Sequence, residues 1–255
     1  MCRARKSNVP MKPTPNFPPE NGPILAFGAH PDDIEFGCGA VIASEVRGGR
    51  GAHLVVCSRG EAASFGTPQE REIEARNAAA ILGASIEWLE LDGDSHLEIR
   101  VAHALKIAAI VRRVRPEIVL APSLVENQHP DHAKLGHLVR DAARLARYGG
   151  VAELRDLAPH SIGALFFYAA SLQTEPRDIS PILFDVSAPG IIEIWKAAMN
   201  AHASQTNARK YVELQLTRAR LHGLAAGIDY AIPLFPSDAV VVDSLSSIGR
   251  GARHF

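Results

Sequence analysis

The chain has 255 residues, with 27 lysines and arginines against 28 aspartates and glutamates, a net charge of -1 when histidine is neutral. With no basic excess to release counterions, nucleic acid held through phosphate contacts is excluded as a partner. Three cysteines, Cys2, Cys38 and Cys57, are too few and too scattered for a disulfide framework or a thiolate metal site, whereas 11 histidines call for an explanation.

Residues 1–22 predict a disordered leader, because Pro10, Pro13, Pro15, Pro18 and Pro19 crowd a stretch whose basic start is followed by no apolar run. That pattern argues against a signal peptide, and no run of 18 apolar residues offers a membrane span. One domain is expected over residues 23–255, in a soluble, cytoplasmic protein long enough to bury a sizeable core. Ile24–Gly28 is a short, continuous apolar run, the mark of a strand buried on both faces. Residues 39–46 and their neighbours read as a helix ended by Gly48 and Gly49, and residues 52–58 as the second strand. Pro68 opens a helix over residues 69–82 that Gly83 closes. A third strand at 86–91 precedes a helix over 98–114, with Val101, Ala104, Leu105, Ala108 and Val111 on one stripe. A fourth strand at 117–121 leads to a helix over 131–147.

This alternation predicts an α/β fold, a Rossmann-like, mostly parallel sheet with helices on both faces. The second half is less regular. Strands are expected at 164–169 and 182–186, helices at 189–207 and 208–224, and a late strand at 239–242, which together make an irregular C-terminal elaboration.

Ligands of an open parallel sheet bind beyond the carboxyl ends of its strands. There the sequence places Ala29-His30-Pro31-Asp32-Asp33, then Arg59-Gly60-Glu61, then Asp92-Gly93-Asp94-Ser95-His96, and finally His129-Pro130-Asp131-His132. His30 and Asp33 lie three residues apart on a turn, and His132 follows 99 residues after Asp33. Two ligands at short spacing with a distant third is the usual arrangement of a catalytic zinc site, whose fourth position is left to water. Zinc lowers the pKa of that water from about 15.7 to about 7. Asp32 beside Asp33 is the candidate general base, and His129 with Asp131 the candidate proton donor to a leaving group. Each motif alone also suits a proline turn or a helix cap; both together, each after a parallel strand, point to chemistry.

The residues AHPDDIEFGCGA, SRGE, the helix with Arg71, Glu74, Ala78, Ala79, Leu82 and Gly83, and NQHPDH resemble the PIG-L/LmbE-like zinc de-N-acetylases of acylated sugars. Phe184-Asp185-Val186-Ser187, Lys196, Ala201-His202, Ser204-Gln205, Arg218, Gly223, Gly227 and Tyr230 resemble the bacillithiol-biosynthesis deacetylase branch. The resemblance implies His30, Asp33 and His132 as ligands of one Zn2+, with Fe2+ as an alternative metal, and Asp32 as the base. It implies that His129 and Asp131 assist the tetrahedral intermediate and the departing amine. It further implies that Arg59 and Glu61 line the sugar pocket, that Asp94 lies near it, and that His202 sits on a helix closing the site. The implied partner is a small N-acetyl amino sugar conjugate, with no membrane or nucleic acid, in a homo-oligomer. Ile232 departs from the glutamate common at its position, which puts the leaving moiety in question.

Other classes are weighed on the same residues. The dinucleotide fingerprint G-x-G-x-x-G is absent, since Gly37-Cys38-Gly39 is followed by Ile42 at the required place. A metal-dependent phosphoesterase would use a second metal-ligand set, a ferrous oxygenase would need oxygen, and a non-catalytic sugar-binding relative would have lost one of the chemical positions.

Overall fold

A computed structural model describes residues 22–126, 129–207, 210–242 and 244, so the expected leader up to residue 21 lies outside the described residues. Strand β1 (Ile24–Gly28) leads to helix α1 (Asp33–Arg47), β2 (Ala52–Val56) to α2 (Pro68–Leu82), and β3 (Ser85–Trp88) to α3 (Val101–Val114). Strand β4 (Ile118–Pro122) leads to α4 (Pro130–Arg147) and then to β5 (Ala164–Tyr168). The second half adds β6 (Ile182–Asp185), α5 (Ile191–Asn200), the short α6 (Ala203–Thr206), α7 (Tyr211–Ala225) and β7 (Ala231–Pro236). The strands form one sheet in the order β3-β2-β1-β4-β5-β7-β6. The first five run parallel, and β7 is antiparallel to both β5 and β6. This is the mostly parallel α/β sheet that the alternation predicts.

Because successive side chains of a strand point to opposite faces, β1 feeds two apolar layers. Ile24 and Ala26 pack with residues of α1, α2, α5 and α7, and Leu25 and Phe27 with residues of α3 and α4. All four are at most 1% exposed. Burying an Ile, Leu or Phe side chain of this kind stabilises the fold by about 1.5–3 kcal/mol. Helix α1 approaches its neighbours closely because two positions lack a side chain. A Cβ on Gly37 would run into the ring of Tyr168, and one on Gly39 would lie 2.9 Å from Trp195 Cδ1. Both rings are anchored there: the Tyr168 hydroxyl donates to Phe27 O, and Trp195 Nε1–H donates to Glu35 O, each at 2.7 Å. The Gly-x-Gly pair therefore serves packing, in keeping with the absence of a dinucleotide fingerprint.

Two expectations for the second half are corrected. The late strand lies at Ala231–Pro236, and residues 239–242 form no strand. Pro233 and Pro236 hide β7 in the sequence, because proline donates no hydrogen bond and normally argues against an internal strand. The helix expected over 189–207 is two pieces, broken at Ala201 and His202. Ile232, the departing position, is 2% exposed and pairs with Phe184 inside the sheet. No helix among the described residues is long and apolar enough to cross a membrane.

Candidate active site

Strand order reverses between β1 and β4, so the loops leaving these neighbours diverge and open a crevice at their carboxyl ends. The turn after β1 supplies His30, Asp32 and Asp33, and the start of α4 after β4 supplies His129, Asp131 and His132. His30 Nδ1 lies 3.3 Å from His132 Nε2 and 3.4 Å from Asp33 Oδ2, while His132 Nε2 lies 3.0 Å from Asp33 Oδ1. A tetrahedral ion with bonds of about 2.0–2.2 Å has ligand–ligand edges of roughly 3.3–3.6 Å. The three side chains converge closely, His30 and His132 meeting different oxygens of Asp33, and His30, His129 and His132 likewise lie close enough together to share an ion. His129 brings a third imidazole into the same region, its ring centroid 4.1 Å from that of His30 and 5.5 Å from that of His132.

Two further carboxylates stand behind the cluster. His30 Nε2 faces Asp94 Oδ1 at 3.2 Å and Asp131 Oδ2 at 3.6 Å, so either acid can accept its proton when Nδ1 faces a metal. His129 Nε2 is also 3.2 Å from Asp94 Oδ1. Asp94 is 5% exposed and is fixed by the Ala62 N–H (3.1 Å) and the Ser95 hydroxyl (3.0 Å). The Ser95 N–H donates to Asp131 Oδ2 at 2.8 Å. Burial opposes ionisation of Asp33, Asp94 and Asp131, but the imidazoles beside them outweigh it and hold all three below the usual carboxylate range. Burial likewise opposes protonation of His30, and the surrounding Asp33, Asp131 and Asp94 outweigh it and raise its pKa. In the absence of a metal the site thus favours a proton on His30, which an ion must displace.

Asp32 differs from its neighbours. Its backbone sits at φ 114°, a left-handed conformation that costs a non-glycine residue about 1–3 kcal/mol and gathers at functional turns. Burial pushes its carboxyl up to about 6, with Arg71 pulling it down and Asp33 pushing it up again. Arg71, 4% exposed, holds the turn: Nη2 donates to Pro31 O at 2.7 Å and stands 3.4 Å from Asp32 Oδ2, and Nη1 donates to Gly60 O at 3.2 Å. A side chain at Gly60 would collide with this guanidinium.

A cavity of about 750 Å3 opens over the cluster, within the range of roughly 300–1,000 Å3 usual for small-molecule sites. His30, Asp32, Asp33, Asp94, His129 and His132 line its floor, and Phe36, Phe65, Tyr211, Gln173, Gln205 and Gln215 are among the residues of its walls. Among the described lining residues Arg71 is the one arginine or lysine, beside the imidazoles of His30, His129 and His132 and the carboxylates of Asp32, Asp33, Asp94 and Glu126.

The expected sugar-lining residues divide. Asp94 lines the cavity, whereas Arg59, Glu61 and His202 are not among its described lining residues. Arg59 turns outward, its side chain 40% exposed, and pairs with Glu72 at 2.8 Å and with Glu90. Glu61 accepts the Asp94 N–H at 3.1 Å, so it supports the loop from behind. His202 is wholly buried, with Nε2 3.5 Å from Glu35 Oε2 beneath the Asp32 turn. His96 bonds the Asp94 carbonyl through Nδ1 at 2.7 Å. Arg71 is a residue of the cavity lining that motif reading left without a role. Its signal was a charge on the buried stripe of α2, in line with Ala75, Ala78, Ala79 and Leu82.

Residues 25–143 match the family described as GlcNAc-PI de-N-acetylase, PIG-L. The 4-oxalmesaconate hydratase of Pseudomonas putida is 32% identical over 162 residues, which span 58% of this chain and 58% of that enzyme. The diacetylchitobiose deacetylase of Thermococcus kodakarensis is 29% identical over 198 residues, 71% of this chain and 69% of that enzyme. Among solved structures, a conserved protein from Thermus thermophilus superposes with a TM-score of 0.77 at 32% identity, covering 89% of this chain and 99% of that one.

Proposed function

The chain belongs to the GlcNAc-PI de-N-acetylase (PIG-L) family, and on that premise we propose that it is a metal-dependent hydrolase that removes the N-acetyl group from an N-acetylglucosamine-type sugar or its conjugate. The observation that carries this reading is the convergence of His30, Asp33 and His132, with contacts of 3.0–3.4 Å, beside the carboxylate of Asp32. These three residues would hold the ion, and a two-histidine, one-carboxylate set suits zinc, with ferrous iron as the alternative. When bound, the ion supplies a water of lowered pKa and polarises the amide carbonyl.

The chain's own groups do the rest. Asp32, with a pKa of about 6, is ionised at neutral pH and still basic enough to take the proton of the attacking water. Arg71 keeps that carboxylate aimed from the strained turn. The amide C–N bond breaks, acetate leaves with the oxygen of the water, and the nitrogen takes a proton. His129, braced by Asp94, is the donor, and Asp131 with Ser95 fixes the turn that carries it. Phe36, Phe65 and Tyr211 offer apolar surface to a sugar ring, and the wall glutamines offer partners for its hydroxyls.

The hydratase relative favours a second reading, since hydration also activates a water. Its substrate, by the enzyme's name, is a polycarboxylate. The one arginine of the described lining is turned to Pro31, Gly60 and Asp32, so no arginine or lysine fork is left to take a polycarboxylate, while the aromatic and glutamine walls suit a sugar. The test incubates purified metal-loaded protein with N,N'-diacetylchitobiose, methyl N-acetylglucosaminide and 4-oxalmesaconate, following acetate, free amine and loss of the dienoate. Release of acetate and amine in equal amounts is expected. Turnover of the polycarboxylate with no acetate would overturn the reading. Asp32→Asn is expected to keep its metal and lose about 10²–10⁴ in kcat, and His132→Ala to lose the metal itself.

A further inference from the structure

A second cavity, about 630 Å3, lies at the opposite edge of the sheet, where β5 begins at Ala164 and β7 ends at Pro236. Arg140, Arg144 and Arg147 of α4 line it, and Ser161, Ser237 and Asp238 are among its other lining residues. The spacings of four and three residues put all three arginines on one helix face, along about 10 Å of its length. None of them pairs with a carboxylate among the described residues. Like charges at such spacing destabilise a helix unless something neutralises them.

Two of the three guanidinium groups are held in place without being neutralised. Arg140 Nη2 lies 3.1 Å from His137 Nδ1, and Arg147 stacks on Tyr148, 5.2 Å from the ring centroid, with Nη2 donating to its hydroxyl at 3.3 Å. Attraction to the negative end of the helix accounts for Arg147 in the last turn. It does not account for Arg140, two turns back, whose Nε is buried and has no hydrogen-bond partner. Guanidinium groups lining one groove, without carboxylate partners and with N–H groups to spare, suit the oxygens of a tetrahedral oxyanion.

We propose that this groove is a binding site for a phosphate-class anion, free or carried by a small metabolite, separate from the metal-type cluster. The ligand's oxygens would take the donors of Arg140 and Arg144, with Arg147 and the hydroxyls of Ser161 and Ser237 at the margins. The site sits on the same helix that carries His129 and His132 at its other end.

Isothermal titration of the metal-loaded protein with inorganic phosphate, pyrophosphate and glucose 6-phosphate, at fixed ionic strength, tests this. Because phosphate also coordinates metal ions, the decisive comparison is between wild type and Arg140→Gln/Arg144→Gln. Saturable binding to wild type, weakened about tenfold or more in the double variant, is expected. Tighter binding of glucose 6-phosphate than of phosphate would identify a metabolite as the source; equal binding would identify the free anion. Binding unchanged in the double variant would place the anion at the metal centre and overturn the proposal, as would no saturable binding to wild type. An unaltered melting temperature of the double variant confirms that the comparison is between folded proteins.

Discussion

Two arginines, each at most 4% exposed, hold opposite edges of the same sheet, and they are used differently. At the amino edge, Arg112 gives its donors to the carbonyls of Ala146, Leu154, Leu157, Leu145 and Tyr148, closing the C-terminus of α4 onto the loop that follows. At the carboxyl edge, Arg71 binds two carbonyls and leans on Asp32, and its Nε has no hydrogen-bond partner. The first is the arrangement of a cation that serves only the fold, with every donor group engaged. The second is incompletely satisfied, stands under a backbone at φ 114°, and touches a carboxylate with a raised pKa. Around Arg71 unspent polar capacity and backbone strain meet at one turn, whereas around Arg112 every donor is used.

The contrast breaks most visibly if both arginines are removed in turn. Arg112→Met would leave several buried carbonyls without donors, each costing about 1–3 kcal/mol. A loss of about 3 kcal/mol or more is expected in urea unfolding, with kcat of the folded fraction unchanged. Arg71→Met is expected to do the reverse. A displaced Asp32 turn would lower kcat about 100-fold, since small misplacements of catalytic groups carry costs of that order, while the unfolding midpoint moves less than for Arg112→Met. If Arg71→Met keeps its kcat, the arginine is a fold element like its counterpart.

A smaller effect separates the wall of the cavity from both edges. Glu175 bonds Arg218 and His222, and Arg218 Nη1 also donates to Ala169 O at 2.8 Å, which ties α7 to the loop after β5. Burial opposes ionisation of Glu175, but His222 and Arg218 outweigh it and hold its pKa below the ordinary value. A lowered pKa contributes stability that is present above the unfolded-state value, near 4.3, and is lost as pH falls through the folded-state value. Wild type should therefore lose about 1 kcal/mol more than Glu175→Gln as pH drops below about 4.5. Denaturation midpoints at pH 7 and in that acid range measure the difference; parallel losses in the two proteins would count against the tie.

How much of this was legible in the sequence follows from where the information sits. Strands β1 and β4 are continuous apolar runs, β2 is broken only by His53, and β3 mixes Ser85 and Glu87 with Ile86 and Trp88, yet each is followed by its own helix, so local pattern and alternation suffice. The His30–Asp33 and His129–His132 motifs announce themselves by composition and by place after a strand. Strand β7 does not, because its two prolines speak against a strand and only pairing with β5 and β6 overrides them. The contact of Asp94 with His30 and His129 joins three different loops, and no local spacing encodes it. His202 belongs with these. The resemblance implies it for the site, and tertiary packing alone sets its buried ring against Glu35, near enough to Asp32 to pull that carboxyl's pKa down.

Arg59 gives the finest test, since it sits in a motif loop next to the buried Gly60 turn while Arg71 comes a dozen residues later. Sequence proximity to the SRGE motif favours Arg59 as the sugar-binding cation; the structure turns it toward Glu72 and Glu90, in water. An exposed ion pair of this kind is screened and adds little to stability or binding. Arg59→Ala is therefore expected to leave kcat/KM for an N-acetylglucosaminide within about twofold of wild type, and the same assay on Arg71→Met supplies the scale. A tenfold rise in KM for Arg59→Ala alone would mean that the loop swings inward on binding. The charge that meets the substrate would then be the one the motif advertises, and burial on the α2 stripe would no longer distinguish the two arginines.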